Sequence, residues 1–186
     1  MTRDRFSELE CFVLGLVWQI GPCSAYDIRQ ELRGSPSSQW SASAGAIYPL
    51  MQRLEKRRLL RSAADARDSR KRRVYSITAG GRSALRSWIG PPMSSDVVTV
   101  VHDPLRSRAR FLGMLPAKQR EAWVKAARDA LTQVLACVES WEREHGNEHD
   151  PFSELMTRHG EMDVRMRRAW VDEIEQRLRE TRPNAE

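Results

Sequence analysis

Apolar residues in the first part of the chain recur at intervals of three and four, from Leu9 to Ile20. This spacing is typical of one face of an amphipathic helix, and Gly21-Pro22 predicts where the helix ends. Ser24 and Asp27 then resemble a capping box, in which each side chain accepts a hydrogen bond from the backbone N–H of the other residue. They predict the start of a second helix.

A third helix is predicted after the polar loop at residues 34–38. Ser43 fits its N-cap, and its buried face is formed by Ile47, Leu50 or Met51, and Leu54. Pro49 lies inside this helix, where its ring crowds the carbonyl of Gly45 and its missing N–H removes one hydrogen bond. We therefore expect a distorted first turn.

Two short strands follow, at residues 59–61 and 74–77, because β-branched and aromatic residues are enriched there. A polar loop rich in Arg and Asp joins them at residues 62–73. Thr78 then predicts the cap of another helix, which carries Leu85, Trp88 and Ile89. Three helices followed by a two-stranded hairpin is the order of a winged helix-turn-helix domain.

The back half of the chain is predicted to be helical. Pro116 fits a first helical position, and apolar residues from Trp123 to Trp141 alternate at fours and threes, as a heptad seam does. After a break at residues 145–151, a second apolar pattern runs to Leu178, with an interruption expected at Gly160. Two long helices without a sheet cannot close a core of this width, so we expect them to pack on a second subunit.

These patterns together predict a mainly α protein with an N-terminal winged helix-turn-helix domain and a C-terminal helical dimerisation domain. The DNA-binding domain is assigned to residues 1–90, a linker and connecting helix to residues 91–114, and the dimerisation domain to residues 115–182. Gly90-Pro91-Pro92 marks the boundary after the first domain.

The charge of the chain is unevenly distributed. Residues 1–90 contain 16 Lys and Arg against 8 Asp and Glu, a net of +8, whereas residues 91–186 carry 15 against 17, a net of −2. This asymmetry predicts that the front half meets a polyanion. The run Arg70-Lys71-Arg72-Arg73 places four of the positive charges on the predicted hairpin.

Compartment signals favour the cytoplasm. The N-terminus alternates charges and lacks the apolar segment of a signal peptide, and no stretch reaches the length of a membrane span. The three cysteines, Cys11, Cys23 and Cys137, contain no CxxC pair and are interpreted as reduced thiols. Cys23 precedes a helix and could be a thiol sensor of lowered pKa, but a packed small residue is the favoured interpretation.

Signals for catalysis or metal binding are weak. The chain has no phosphate-binding loop, nucleophile elbow, HExxH or dinucleotide fingerprint, so we predict neither an enzyme nor a cofactor. His145 and His149 have the i, i+4 spacing that zinc can use, with Glu148 nearby, but no third ligand is evident. We predict no metal site.

The residues resemble the PadR family of bacterial transcriptional regulators. The resemblance is carried by Leu14-Gly15-Leu16, Tyr26-Asp27-Ile28, Trp40-Ser41, Ile47-Tyr48-Pro49-Leu50, Arg53-Leu54-Glu55, Arg70 through Tyr75, and Gly81-Arg82. It spans roughly residues 9 to 180 and is specific in the front half. It implies a homodimer whose winged helices bind double-stranded DNA and whose long C-terminal helices form the dimer.

The chain departs from the family pattern at four places. Ser24-Ala25 stands where His-Gly is usual, Arg58 replaces the glycine that ends the recognition helix, and Ser69 and Lys71 alter the usual Gly-Arg-Pro-Arg of the wing. At Arg58 we expect the left-handed helix cap to be strained or absent. The changes at Ser69 and Lys71 remove a rigid proline and add charge.

The predicted DNA contacts combine the third helix with the basic hairpin. Gln52 and Arg53 have hydrogen-bonding groups suited to base edges, whereas the hairpin cations suit phosphates. The resemblance assigns Tyr48 to a phosphate, with packing beneath the wing as the alternative. The predicted DNA-binding residues are Ser43, Gly45, Ala46, Tyr48, Pro49, Gln52, Arg53, Arg70, Lys71, Arg72 and Arg73.

The predicted dimerisation residues lie on the two long helices. They are Trp123, Ala127, Val134, Val138, Trp141, Met166, Trp170 and Ile174. Some members of the family that the chain resembles bind planar effectors at the dimer interface. The tryptophans are therefore also candidates for a small-molecule site, although packing is the commoner role. The rival function is a winged helix that docks a protein and has little salt-dependent affinity for DNA.

Overall fold

The computed structural model describes residues 6–35, 37–64, 72–93, 95–99, 102–145 and 151–180. The chain divides into an N-terminal unit, residues 1–99, and a C-terminal unit, residues 100–186. The helices and strands of the N-terminal unit are α1 (Glu8–Ile20), β1 (Cys23–Ser24), α2 (Ala25–Gly34), α3 (Ser38–Ser43), α4 (Ile47–Lys56), β2 (Leu60–Ala64), β3 (Arg73–Ile77), α5 (Ala79–Ile89) and α6 (Ser95–Val98). Those of the C-terminal unit are α7 (Pro104–Ala109), α8 (Ala117–His145) and α9 (Pro151–Glu180).

The core of the N-terminal unit is formed where α1, α2 and α4 meet the small sheet. Its fully buried side chains include Leu14, Ile28, Leu50 and Leu54. The predicted mainly α winged-helix fold with C-terminal helices is therefore confirmed. Ile20 and Ile89 are exposed at the helix ends, so the predicted apolar faces of α1 and α5 are shorter than the periodicity indicated.

Both of the first two helices begin with a capping box. The Ser24 N–H donates to Asp27 Oδ2 at 2.8 Å, and the Asp27 N–H donates to Ser24 Oγ at 3.3 Å, as the sequence predicts. A second box links Ser7 and Glu10 at the start of α1. Each box satisfies N–H groups that have no partner inside the helix.

The prediction that Ser43 caps the third helix is wrong. Ser43 has helical backbone angles, and its hydroxyl donates to the carbonyl oxygen of Gln39 at 2.8 Å. The helical stretch instead begins at Ser38, tightens into a 3₁₀ turn at Ala44–Ala46 and continues as α4. That turn is the expected distortion, because it places Pro49 in the first turn of α4, where an N–H would be unsatisfied anyway.

The end of α4 forms despite the arginine at position 58. Arg58 has a φ of 60°, its N–H donates to the Glu55 carbonyl at 2.8 Å, and the Leu59 N–H donates to the Leu54 carbonyl at 2.9 Å. These two bonds are the Schellman pattern that usually ends in glycine. The left-handed cap is present and strained.

The three strands form an antiparallel sheet in the order β1-β3-β2. β2 and β3 pair from Leu60 opposite Ile77 to Ala64 opposite Arg73, and we call this hairpin the wing. Both strands extend further into the predicted loop than expected. β1 was not predicted, since two residues carry no periodic signal.

Thr78 and Gly81 join α5 to the wing. Thr78 Oγ1 accepts from the Gly81 N–H at 3.0 Å, which confirms the predicted cap, and lies 2.8 Å from the carbonyl oxygen of Arg58. A Cβ at position 81 would lie 2.2 Å from the carbonyl oxygen of Leu59. Only glycine therefore permits this approach of helix to strand.

The C-terminal unit is built on the antiparallel contact of α8 and α9. Their shared core contains Val124, Ala127, Leu131, Val164 and Val171. The expected interruption at Gly160 does not occur, since α9 is continuous. None of the helices in the described part of the chain is both long and apolar enough to cross a membrane.

An ionic cluster ties the same two helices together. Arg128 donates to Asp172 Oδ1 at 2.6 Å and to Glu175 Oε2 at 2.7 Å. These hydrogen bonds raise the pKa of the arginine and lower that of Glu175. Since these side chains are partly exposed to solvent, the cluster adds little to stability.

Candidate nucleic-acid interface

One side of α4 is buried and the other faces solvent. Ile47, Leu50, Met51 and Leu54 are at most 1 % exposed, which fixes the rotation of the helix about its axis. Gln52 and Arg53 are consequently exposed, and Tyr48 keeps 46 % of its surface accessible. The helix therefore presents hydrogen-bonding side chains in a row that starts at its N-terminal turn.

The structure brings most of the predicted DNA-binding residues to the surface of the N-terminal unit. Ser43 is half-buried, whereas the exposed members are Gly45, Ala46, Tyr48, Pro49, Gln52, Arg53, Arg72 and Arg73. Arg70 and Lys71, together with the departure at Ser69, lie outside the described residues. The exposure of Tyr48 does not favour the alternative in which this ring packs beneath the wing.

Glu55 connects α4 to both strands of the wing. Its Oε1 accepts from Ser62 Oγ on β2 at 2.6 Å and lies 3.2 Å from Arg73 Nη2 on β3. The hairpin is thus held against the helix whose polar side is exposed. In the sequence Glu55 is part of the resemblance to the PadR family, but no local pattern predicts a contact for it.

Arg72 directly precedes β3, at the loop end of the wing, and lies beside α2. Its guanidinium carbon is 5.8 Å from the centre of the Tyr26 ring, within cation–π distance. Tyr26 is itself 45 % exposed. Arg72 thus neighbours α2 and Arg73 neighbours α4, and Tyr26 is a second neighbour of the wing that local patterns did not reveal.

Trp40 has a packing role in this structure. Its ring stacks on Phe12 with centroids 4.2 Å apart and an interplanar angle of 2°, against the core of the N-terminal unit. Trp123 and Trp170 are likewise partly buried against the core shared by α8 and α9. Trp88 donates from Nε1 to Glu8 Oε1 at 3.2 Å.

Cys23 is a packed thiol, so the sensor alternative is wrong. The side chain is 3 % exposed, and burial raises its pKa to about 11, with the Asp27 carboxylate adding to the shift. Burial also raises the pKa of Cys11 to about 11. A thiol sensor needs the opposite shift, because the thiolate is the reactive form.

The predicted dimerisation residues fall into three groups. Ala127 and Val138 are buried within the chain, Trp123, Trp141, Trp170 and Ile174 are half-buried, and Val134 and Met166 are exposed. A partner helix would therefore reach mainly the exposed and half-buried residues. Ala127 in particular packs in the core shared by α8 and α9.

Among the residues that the structure describes, no cluster of His, Cys, Asp and Glu has the arrangement of a metal site. Glu148 and His149 lie outside the described residues, so the prediction about them stays a prediction.

Comparison with known proteins agrees with this geometry. The model of the family "Transcriptional regulator PadR-like family" matches residues 13–87, which include α4 and the wing. A search of curated protein sequences finds no significant match.

Solved structures resemble the whole chain at low sequence identity. A PadR-like regulator from Bacillus cereus shares 16 % identity over 96 % of this chain and 99 % of its own, with a TM-score of 0.74. Bacillus subtilis PadR in complex with operator DNA shares 19 % over 92 % and 99 %, with a TM-score of 0.75. The Vibrio cholerae virulence activator AphA shares 20 % over 93 % and 97 %, with a TM-score of 0.65. Residues 13–87 therefore match the PadR-like transcriptional regulator family, and the chain has the fold of the solved PadR-like regulators.

Proposed function

We propose that the chain is a sequence-specific DNA-binding regulator that acts in the bacterial cytoplasm as a homodimeric repressor. The observation that carries the proposal is the exposed side of α4, which presents Gln52 and Arg53. Glu55 on the same helix accepts hydrogen bonds from both strands of the wing. A helix with hydrogen-bonding side chains beside a cationic hairpin can contact base edges and neighbouring phosphates together.

Each exposed side chain has a distinct proposed role. Arg53 suits the two acceptors on the major-groove edge of guanine, and Gln52 suits the acceptor and donor of adenine. Tyr48 would donate its hydroxyl to a phosphate. Arg72 of the wing would neutralise a phosphate and release counterions, which adds affinity without sequence information.

The proposed dimer rests on an exposed apolar stripe of α9. Leu155, Met162 and Met166 are 58 %, 61 % and 59 % exposed, and their separations of seven and four residues place them along one side of the helix. A contiguous apolar surface on a globular protein marks an interaction site. Because a two-fold dimer pairs the same patch on both subunits, it would cover this stripe with its own copy.

Replacing Met162 and Met166 together by Glu tests the dimer. The two carboxylates would face each other across the two-fold axis, so we expect a monomer in sedimentation equilibrium. Arg168→Glu is the matched control: it also changes the net charge by −2, at an exposed position two residues from Met166 and hence on a different face. A dimer that persists in the double variant would contradict this interface.

In the proposed dimer the C-terminal helices set the separation of the two DNA readers. A small molecule that favours one separation would change the fit to half-sites one helical turn apart. Bacillus subtilis PadR has been solved in complex with p-coumaric acid, so a planar aromatic acid is the first effector class to test here. We expect such an effector to lower operator affinity.

Fluorescence anisotropy tests the proposed function. The probe is duplex DNA from upstream of the protein's own gene, and shuffled DNA of equal composition is the control. We expect the upstream DNA to bind about a thousandfold or more tightly than the control at physiological salt. Equal, weak binding to both would favour the rival function, a winged helix that docks a protein.

A further inference from the structure

Glu55 is the point at which the recognition helix meets both strands of the wing. One carboxylate oxygen, Oε1, accepts from Ser62 on β2 and pairs with Arg73 on β3. The Glu55 side chain is 25 % exposed and that of Arg73 is 58 % exposed. The pair is therefore partly shielded on the carboxylate side and open to solvent on the guanidinium side.

Glu55 is a negative charge among positive charges on α4. It follows Arg53 and precedes Lys56 on a helix that is proposed to lie against a polyanion. An unpaired carboxylate there would weaken DNA binding, because like charges repel. The ion pair with Arg73 neutralises the negative charge of Glu55, and it equally neutralises the positive charge of Arg73.

We propose that Glu55 is a positioning residue for DNA binding: it aligns the wing with α4 and holds Arg73 away from the phosphates. The inference rests on the proposed function. It gives the two described wing arginines different roles: Arg72 would contact a phosphate, whereas Arg73 would help to align the wing with α4. It thereby revises the sequence-based prediction that Arg73 contacts DNA.

The salt dependence of DNA binding distinguishes these roles. The slope of log affinity against log salt changes by about 0.9 for each phosphate neutralised. The probe is a duplex of mixed sequence, titrated between about 50 and about 200 mM salt, a range over which phosphate contacts have large effects. The urea midpoint of each variant is measured alongside.

Glu55→Gln is the informative variant, because its amide oxygen can still accept from Ser62 while the charge is lost. Released from its partner, Arg73 should reach a phosphate and steepen the slope by about 0.9. Arg72→Ala should flatten the slope by about 0.9. Arg73→Ala should weaken binding without changing the slope, and Glu55→Gln in the Arg73→Ala background should leave that slope where it was.

Two results would overturn the inference alone: a slope flattened equally by Arg73→Ala and Arg72→Ala, or a slope that Glu55→Gln leaves at the wild-type value. A purely structural Glu55 would shift the urea midpoint and not the slope. Absence of any salt-dependent binding by the wild-type protein would instead overturn the proposed function, and the inference with it.

Discussion

At the scale of single residues, the local sequence pattern predicts which side chains of α4 are buried, but it does not predict which distant residues they contact. The buried Ile47, Leu50 and Leu54 and the exposed Arg53 follow from helical spacing alone. The contact between Glu55 and Arg73 joins residues 18 apart in the chain. It depends on the register of the wing, which no local pattern contains.

Arg58 is a residue at which the backbone conformation, and not the side chain, limits stability. At its φ of 60° a residue with a Cβ is strained, at a cost of about 1 to 2 kcal/mol. We expect Arg58→Gly to relieve this strain and to raise the free energy of unfolding by about 0.5 to 1 kcal/mol, since glycine also loses more entropy on folding. Urea denaturation measures the change, and Arg58→Val serves as the opposite control. A glycine variant less stable than the wild type would contradict the strain.

Cys11 and Cys23 should react slowly with thiol reagents in the folded protein. Burial raises the pKa of each thiol to about 11, so both stay protonated where a free thiol begins to ionise. Their unfolded-state pKa lies near 9. The folded state therefore binds more protons than the unfolded state between about pH 9 and about pH 11, and stability falls as the pH rises through that window.

Labelling with a chromogenic disulfide at about pH 8 checks the thiol prediction, since free thiols are partly ionised there. We expect Cys11 and Cys23 to be labelled only after denaturation. In a Cys137→Ser variant, which removes the exposed thiol, the native protein should show no fast phase. Fast labelling of the native variant would mean that burial does not protect the other two.

At the scale of helices and strands, capping residues predicted the start of a helix correctly where the residue before the helix has an extended backbone. Ser24 and Thr78 have extended backbone angles and cap as predicted. Ser43 failed because serine also fits inside a helix by bonding the carbonyl four residues back, as it does to Gln39. Side-chain chemistry alone does not distinguish the two placements.

The contact between α5 and the strand that follows α4 should depend on Gly81. A methyl group there would lie 2.2 Å from a backbone oxygen that cannot move independently of β2. Overpacking of this kind costs about 1 to 3 kcal/mol or more, so we expect Gly81→Ala to lower the free energy of unfolding by at least that amount. The measurement is urea denaturation of the isolated variant.

Gly80→Ala is the control for this prediction, since the added methyl at the neighbouring position would be 3.7 Å from the nearest atoms. It should be neutral or slightly stabilising, because alanine is the better helix former. Equal stability of the two alanine variants would contradict the close approach at Gly81.

At the scale of the whole molecule, periodicity predicted which half of the chain contains which elements better than it predicted the details of packing. The basic front half carries α4 and the wing, and the near-neutral back half carries the long helices. The predicted heptad seam did not separate residues that face α9 from residues that face solvent. Val124 and Leu131 pack inside the chain, while Val134 is 42 % exposed, because helical spacing alone does not say which neighbour covers a face.

Our central proposal is that α4 contacts the base edges of DNA while the wing contacts its phosphate backbone. Selection from a random duplex library by the wild type, Arg53→Ala and Arg72→Ala tests it directly, with the base preference at each position as the result. We predict that Arg53→Ala loses about 1 to 3 kcal/mol of discrimination at one or two positions, whereas Arg72→Ala weakens all sequences alike. If both variants lost affinity uniformly and kept the same base preferences, the assignment of base reading to α4 would be wrong.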